Sequence, residues 1–314
     1  MSNSNFQADL NEASKFLKGI IEKNANEKAI NWLNKKLDQL QEKYEEKQLF
    51  MQFSMASRFF TKNTIQLSDN DLAKANELRE GFSPKGWNVL QTARTLIVLT
   101  IPHSNPESQL KTLNALYESA DVEELVALYA ALPLFPNPTI HIKRAAEGIR
   151  TNMTVVLDAV ILNNPFPAQF FDEISWNQLV LKCIFTERPV YHIYNADSRA
   201  NERLANTLSD YAHERWAAGR EVTPELWRFT GKFINGKLLN DYAQLLERGN
   251  KLEKNAAFLA CKEANTTESL QLIGKEELDI IAQDWDALGQ AYYQEKGTLP
   301  SGYQQAGSGV STSN

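Results

Sequence analysis

The sequence predicts an all-α protein, a HEAT-like helical array of antiparallel helix pairs with a disordered C-terminal tail. Three observations predict it. Apolar residues recur at helical spacing along the chain, and the period-2 alternation of a half-buried strand is missing nearly everywhere. Helix pairs recur about every 35–45 residues without clear sequence identity, a spacing that suits pairs burying their faces on one another. After Gly297 the composition turns to Gly, Ser, Thr and Gln, which cannot bury enough apolar area to offset ordering. The expected organisation is a hairpin over 1–48, an all-helical domain over 49–296 and a tail over 297–314.

The bulk numbers exclude several classes. A chain of 314 residues, 43% hydrophobic and 23% charged, is long enough to bury a sizeable core. Its net charge of −6 argues against a nucleic-acid groove, which needs a basic stripe. Two cysteines, Cys183 and Cys261, both in apolar helical patterns, make no disulfide framework and read as buried thiols. No basic segment followed by an apolar one opens the chain, and no run of about 18 apolar residues spans a membrane. A cytoplasmic protein is expected.

In chain order, residues 6–47 read as a helical hairpin. Phe16, Leu17, Ile20 and Ile21 mark one helix, and Ile30, Leu33, Leu37, Leu40 and Tyr44 the other, with the turn at Asn24–Asn26. Its basic residues are all Lys, interleaved with Glu, as on a solvated face. Ser68 and Asp71 read as a capping box ahead of Leu72, Ala75 and Leu78, and Gly81 closes that helix. Ser83-Pro84 is expected to open the next helix, whose faces Trp87, Leu90, Ala93, Arg94, Ile97 and Leu99 fill. Val98–Ile101 continues the helical pattern. Helices follow at 107–117 and 121–132, the second capped by Asp121 with Glu124. The three prolines of LPLFPNPTIH break the helix and predict an extended run. Beyond Phe233 the pattern predicts amphipathic helices over 238–248, 253–264 and 276–294.

The chemically dense stretch runs from Arg144 to Arg228. Between His141 and Thr230 the basic residues are eight Arg and two Lys, the reverse of the hairpin. Arginine suits charges held by planar, bidentate hydrogen bonds in a partly dry place. One helix is expected through Ala146, Ile149, Met153, Val156 and Val160, with Glu147, Arg150 and Asn152 on its other faces. A buried Glu–Arg pair between helices is the plain reading there, and anion binding by Arg150 the sharper one. The rigid Asn164–Pro167 link leads to a helix through Leu179–Phe185, apolar on nearly every side and expected to be buried. Trp176, Asn177, Gln178 and Lys182 on it must then find partners, as a structural network or as a polar pocket floor.

The helix over 201–218 carries Leu204, Leu208, Tyr211, Ala212 and Trp216 on one face. Asn206, Asp210, His213, Ala217 and Arg220 lie on another. Asp210 is expected to pair with His213, as a structural pair or as an acid/base couple. The candidate ligand-binding residues are therefore Glu147, Arg150, Asn152, Trp176, Asn177, Lys182, His213 and Arg220, and the candidate catalytic pair is Asp210 with His213. His213-Glu214 lacks the second histidine of a zincin motif. No paired Glu-x-x-His, P-loop, G-x-G-x-x-G after a strand or G-x-S-x-G is present. The spacings of His141, His192 and His213 carry no metal signature. Neither a metal nor another cofactor is called for.

The runs AAEGIRTNM, NPFPAQFFDEISWNQLVLK and DYAHERWAAGREVTPELWR resemble the EboA family. The resemblance is strong over 122–233, extends to Phe50 through FSMASRFF and LREGFSPKGW, and does not clearly cover the hairpin or the region after Asn235. These bacterial proteins are encoded in a metabolite-traffic cluster beside a UbiA-like prenyltransferase. The resemblance implies a cytoplasmic accessory protein that helps move a secondary metabolite or isoprenoid-like precursor toward the cell envelope. Its implied partners are the other proteins of that cluster and an amphipathic or prenylated small molecule. It carries over no catalytic residues. Three functions follow as expectations: a non-catalytic binder of that metabolite or a partner protein, an enzyme acting through Asp210 and His213, and a scaffold.

Overall fold

The computed structural model describes residues 7–274, 279–297 and 299. The described residues form helices joined by turns, with no strand; Thr64 and Asn88 make an isolated antiparallel bridge. The all-α class holds. The chain divides into two compact units, at residues 170 and 171.

The first unit opens with α1 (Leu10–Asn24) and α2 (Glu27–Glu42), the hairpin that the periodicity predicts. Asp9 caps α1 by accepting the backbone N–H groups of Asn11 and Glu12, and Asn26 caps α2 through Ala29. Ala13, Leu17, Ile20 and Ile21 are buried on α1, as are Leu33, Leu37 and Leu40 on α2. Next come α3 (Glu46–Met55) and α4 (Asp69–Leu78). Ser68 and Asp71 form the predicted capping box, at 3.0 and 3.2 Å. Gly81 lies beyond the end of α4 at φ 78°, its N–H bound to Asn76.

The following helix, α5 (Val89–Val98), starts later than predicted. Ser83-Pro84 enters a turn closed by Trp87 N–H on the Pro84 carbonyl, and Asn88 is the cap instead, accepting from Gln91 at 2.7 Å. Extended pairing of Asn63 and Ile65 with Trp87 and Val89 holds the chain out of the helix until then. Every residue of α5 is buried. It packs against α1, α3 and α7 (Val122–Ala130), which follows α6 (Pro106–Ser119). The Asp121–Glu124 capping box opens α7 as predicted.

Two predictions fail just after α7. The proline run forms two 3-10 turns, 132–134 and 138–141, rather than an extended run. Proline's fixed φ suits the start of such turns. The single helix expected through Ala146 and Val160 is two, α8 (Ile142–Gly148) and α9 (Thr154–Ile161). Thr151 Oγ1 takes the Met153 N–H at 3.1 Å, a local bond that competes with helix continuation, and Met153 is exposed. Short α10 (Phe166–Phe170) ends the unit. Helices adjacent in the chain touch at α1 with α2, α2 with α3, α6 with α7, α8 with α9 and α9 with α10, while α5 joins elements far apart in sequence.

The second unit contains α11 (Glu173–Phe185), α12 (Glu202–Ala217), α13 (Gly236–Arg248), α14 (Lys251–Ala264), α15 (Thr267–Ile273) and α16 (Trp285–Lys296). Side-chain caps start all six: Asp172, Asn201, Asn235, Asn250, Thr266 and Asp284. Here α14 is central, packing on α13, α15, α16 and the fully buried 3-10 segment Pro224–Phe229. Helix α11 is less enclosed than its apolar composition predicts, since Ile174 and Phe185 are exposed. The helix expected over 276–294 begins at Trp285, and α15, which the periodicity missed, precedes it. Residues 275–278 and, apart from Gly297 and Leu299, the expected tail lie outside the described residues. Cys183 and Cys261 are both buried free thiols.

Candidate functional site

The first unit encloses a cavity of about 450 Å³ lined from α5, α7 and α9 and the turns before and after them. Its walls are mixed: Trp87, Leu90, Val126, Ala130, Ala159 and Leu162 are apolar, and Asn88, Gln91, Glu123 and Asp158 are polar or charged. Val122 and Val155 also line it and stay exposed. An exposed ion pair, Lys62 with Glu123, stands at the edge and adds little stability. The size and the mixed lining suit a small organic molecule.

One charged side chain in the lining is almost wholly buried. Arg94 projects from α5, in a helix whose other residues are uncharged, and its side chain is 2% exposed. It donates from Nη2 to Glu124 Oε1 at 3.2 Å and from Nε to the Phe53 carbonyl at 3.2 Å. Its guanidinium carbon sits 5.5 Å from the centre of the Phe53 ring. Nη1 is buried with no hydrogen-bond partner. Burial lowers the Arg94 pKa, while the charges of Glu124, Asp121 and Glu123 oppose that shift. An unpaired buried donor costs roughly 1–3 kcal/mol. Asn164, also in the lining, is satisfied: it donates to the Tyr129 and Ala159 carbonyls and accepts from Phe166 N–H.

The residues marked by the sequence have other surroundings. In the first unit Glu147 pairs with Arg144 at 2.8 Å, one turn back in the same helix. The expected pairing between helices is therefore replaced, because three residues along a helix bring the two side chains together. Arg144 also reaches Asn114 and lies over the Tyr117 ring. Arg150 and Asn152 are exposed in the break between α8 and α9.

In the second unit Trp176 is fully buried, with the Arg199 guanidinium 4.9 Å from its ring centre and its Nε1 unbonded. Asn177 exchanges two amide hydrogen bonds with Asn201, at 2.8 and 3.1 Å, which ties α11 to the cap of α12. That is a satisfied network. Lys182 is half-buried. Arg220 is exposed, in a shallow groove with Trp216 and Glu221.

The expected Asp210–His213 couple is not formed. His213 Nε2 lies 2.6 Å from Asp241 on α13, and Asp210 bonds Lys237 at 2.5 Å. Asp241 is buried and also accepts from Ser209 Oγ at 2.7 Å. The imidazole stacks on Trp216, and Trp216 on Trp227. The acidic partner comes from another helix, so no spacing within α12 could reveal it. No group of three or more His, Cys, Asp or Glu among the described residues is placed to hold a metal ion.

Reading the helices by their faces alone put Arg94 among the residues that fill them. The one available signal was its place inside an otherwise uncharged run, Val89 to Leu99, where a charge is expensive unless paired. No helix among the described residues is long and apolar enough to cross a membrane.

A family model described as metabolite traffic protein EboA matches residues 13–231. The match begins inside α1 and so takes in the Lys-rich hairpin, beyond the reach of the residue-level resemblance. No curated protein and no solved structure matches the chain.

Proposed function

Because the chain belongs to the EboA family of metabolite traffic proteins, we propose that it is a non-catalytic accessory protein that binds the travelling metabolite in the α5–α7–α9 cavity. The observation that supports this reading is the cavity of about 450 Å³ itself, with the buried Arg94 in its wall bonded to Glu124. The cargo is a secondary metabolite or an isoprenoid-like precursor, handed on within the cytoplasm to other proteins of the same cluster. The residues marked by the sequence offer competing locations, Glu147, Arg150 and Asn152 in the first unit and Trp176, Asn177, Lys182, His213 and Arg220 in the second.

Native mass spectrometry of protein purified gently from producing cells tests these locations. A co-purifying organic mass lost in Ala159→Trp, which fills the cavity, supports the reading. Loss in Arg150→Ala or His213→Ala, with Ala159→Trp still loaded, moves the site to the sequence-marked residues. A clean apo mass in every sample overturns small-molecule carriage.

A further inference from the structure

The polar side chains in the cavity wall differ in what they have left to offer. Lys62 pairs with Glu123, and Arg94 with Glu124. Asn164 is satisfied, and Asp158 and Asn163 have partners of their own. Gln91 differs from all of these. Its backbone N–H goes to Asn88, and among the described residues its side-chain amide bonds to nothing. The residue is 7% exposed, yet neither amide atom is among the unpartnered atoms sealed from solvent. Leu90 and Arg94 line the cavity beside it at helical spacing, so Gln91 stands on the face of α5 that borders the cavity. The space left open to its amide is therefore the cavity.

A carboxamide carries one acceptor oxygen and two N–H donors. The group that matches it presents a donor and an acceptor side by side, so that two hydrogen bonds close together. Asn177 and Asn201 make this exchange elsewhere in the chain, at 2.8 and 3.1 Å. A ketone or an ionised carboxylate has no donor for the amide oxygen. Beside the amide, Trp87, Leu90, Val126 and Leu162 offer apolar surface. We propose that Gln91 recognises a carboxamide-type group, a primary amide or a cis lactam, on an otherwise apolar ligand held in this cavity. The proposal rests on the cavity reading above and names the polar group of its cargo.

The test is isothermal titration of the full chain with octanamide and with nonan-2-one, which share chain and carbonyl and differ as NH2 against CH3. The readout is the ratio of the two Kd values in the parent and in Gln91→Met, which keeps the side chain's length and removes its amide. That ratio is expected to shift toward the ketone by at least about tenfold, the effect of losing two neutral hydrogen bonds. Gln91→Leu should shift it likewise, so that one poorly folded variant does not decide the matter. A structural role for Gln91 would instead lower stability in urea and leave the ratio unchanged. An unchanged ratio, with both ligands lost in Ala159→Trp, overturns the role of Gln91 and leaves the cavity as the binding site. Binding that survives Ala159→Trp overturns both. If neither ligand binds the parent, the inference falls, and the native mass spectrum alone decides the broader reading.

Discussion

The ring nitrogen Nε2 of His213 lies 2.6 Å from Oδ1 of Asp241, whose second oxygen accepts from Ser209. Asp241 is 3% exposed, so its bonds are made where water cannot replace them. Asp210, three residues before His213, is solvent-exposed and pairs with Lys237. Asp241→Ala leaves the buried Ser209 hydroxyl without its acceptor and should cost about 1–3 kcal/mol. Asp210→Ala should stay within about 0.5 kcal/mol of the parent. Urea unfolding of the two variants checks this, and equal losses would contradict it.

The Arg94–Glu124 pair joins α5 to α7 with both side chains buried. Removing one partner strands the other charge, so Arg94→Met should cost about 3–5 kcal/mol. Glu124 also caps α7 by accepting the Asp121 N–H at 3.1 Å, and glutamine keeps that acceptor. The double variant Arg94→Met, Glu124→Gln should therefore recover much of the loss. A double-mutant cycle by chemical denaturation measures it. Additive losses would show that the two residues do not act as a pair.

Glu225 is fully buried and accepts the backbone N–H groups of Val190 and Tyr191, at 3.0 and 2.7 Å. Burial pushes its pKa up to about 8 from 4.5, against the pull of those bonds and of Arg228. Between these two values the folded chain holds a proton that the unfolded chain has released. Stability therefore falls as pH rises from about 4.5 to about 8, by up to about 1.4 kcal/mol per pH unit, and levels off above. In Glu225→Gln that component should vanish. The difference between parent and variant stabilities across this range isolates it, and a difference that does not change with pH would refute the assignment.

Two helical glycines should respond oppositely to alanine. A Cβ on Gly289 of α16 would sit 2.5 Å from Glu225 Oε1 and 2.6 Å from the Tyr191 ring. Gly289→Ala should cost about 1–3 kcal/mol through overpacking. Gly19 of α1 has nothing within 4 Å of that position. Gly19→Ala should stabilise by about 0.5–1 kcal/mol, because alanine loses less backbone freedom on folding. Thermal melts of the two variants, shifted in opposite directions, are the expected result.

The chain's local grammar was legible. The hairpin turn at Asn24–Asn26, the Ser68–Asp71 and Asp121–Glu124 boxes and the helical class all follow from side chains within four residues of one another. Propensity, capping and periodicity act over that range, so one sequence suffices to read them. The family resemblance was legible as well, in runs such as NPFPAQFFDEISWNQLVLK, which lie within the matched residues.

What only the tertiary structure decided is which faces meet. The start of α5 at Val89 depends on pairing with Asn63 and Ile65, and the partner of His213 comes from α13. Arg94 reads in sequence as one more residue of a packed helix. Its unused donor and its cavity exist only because α7 and α9 supply walls from residues about 30–70 positions away. Periodicity states that a face is apolar, and it carries no information about what will cover that face. Hydrophobic burial is non-directional, so the choice among apolar partners falls to shape and to the few buried charges that must be paired.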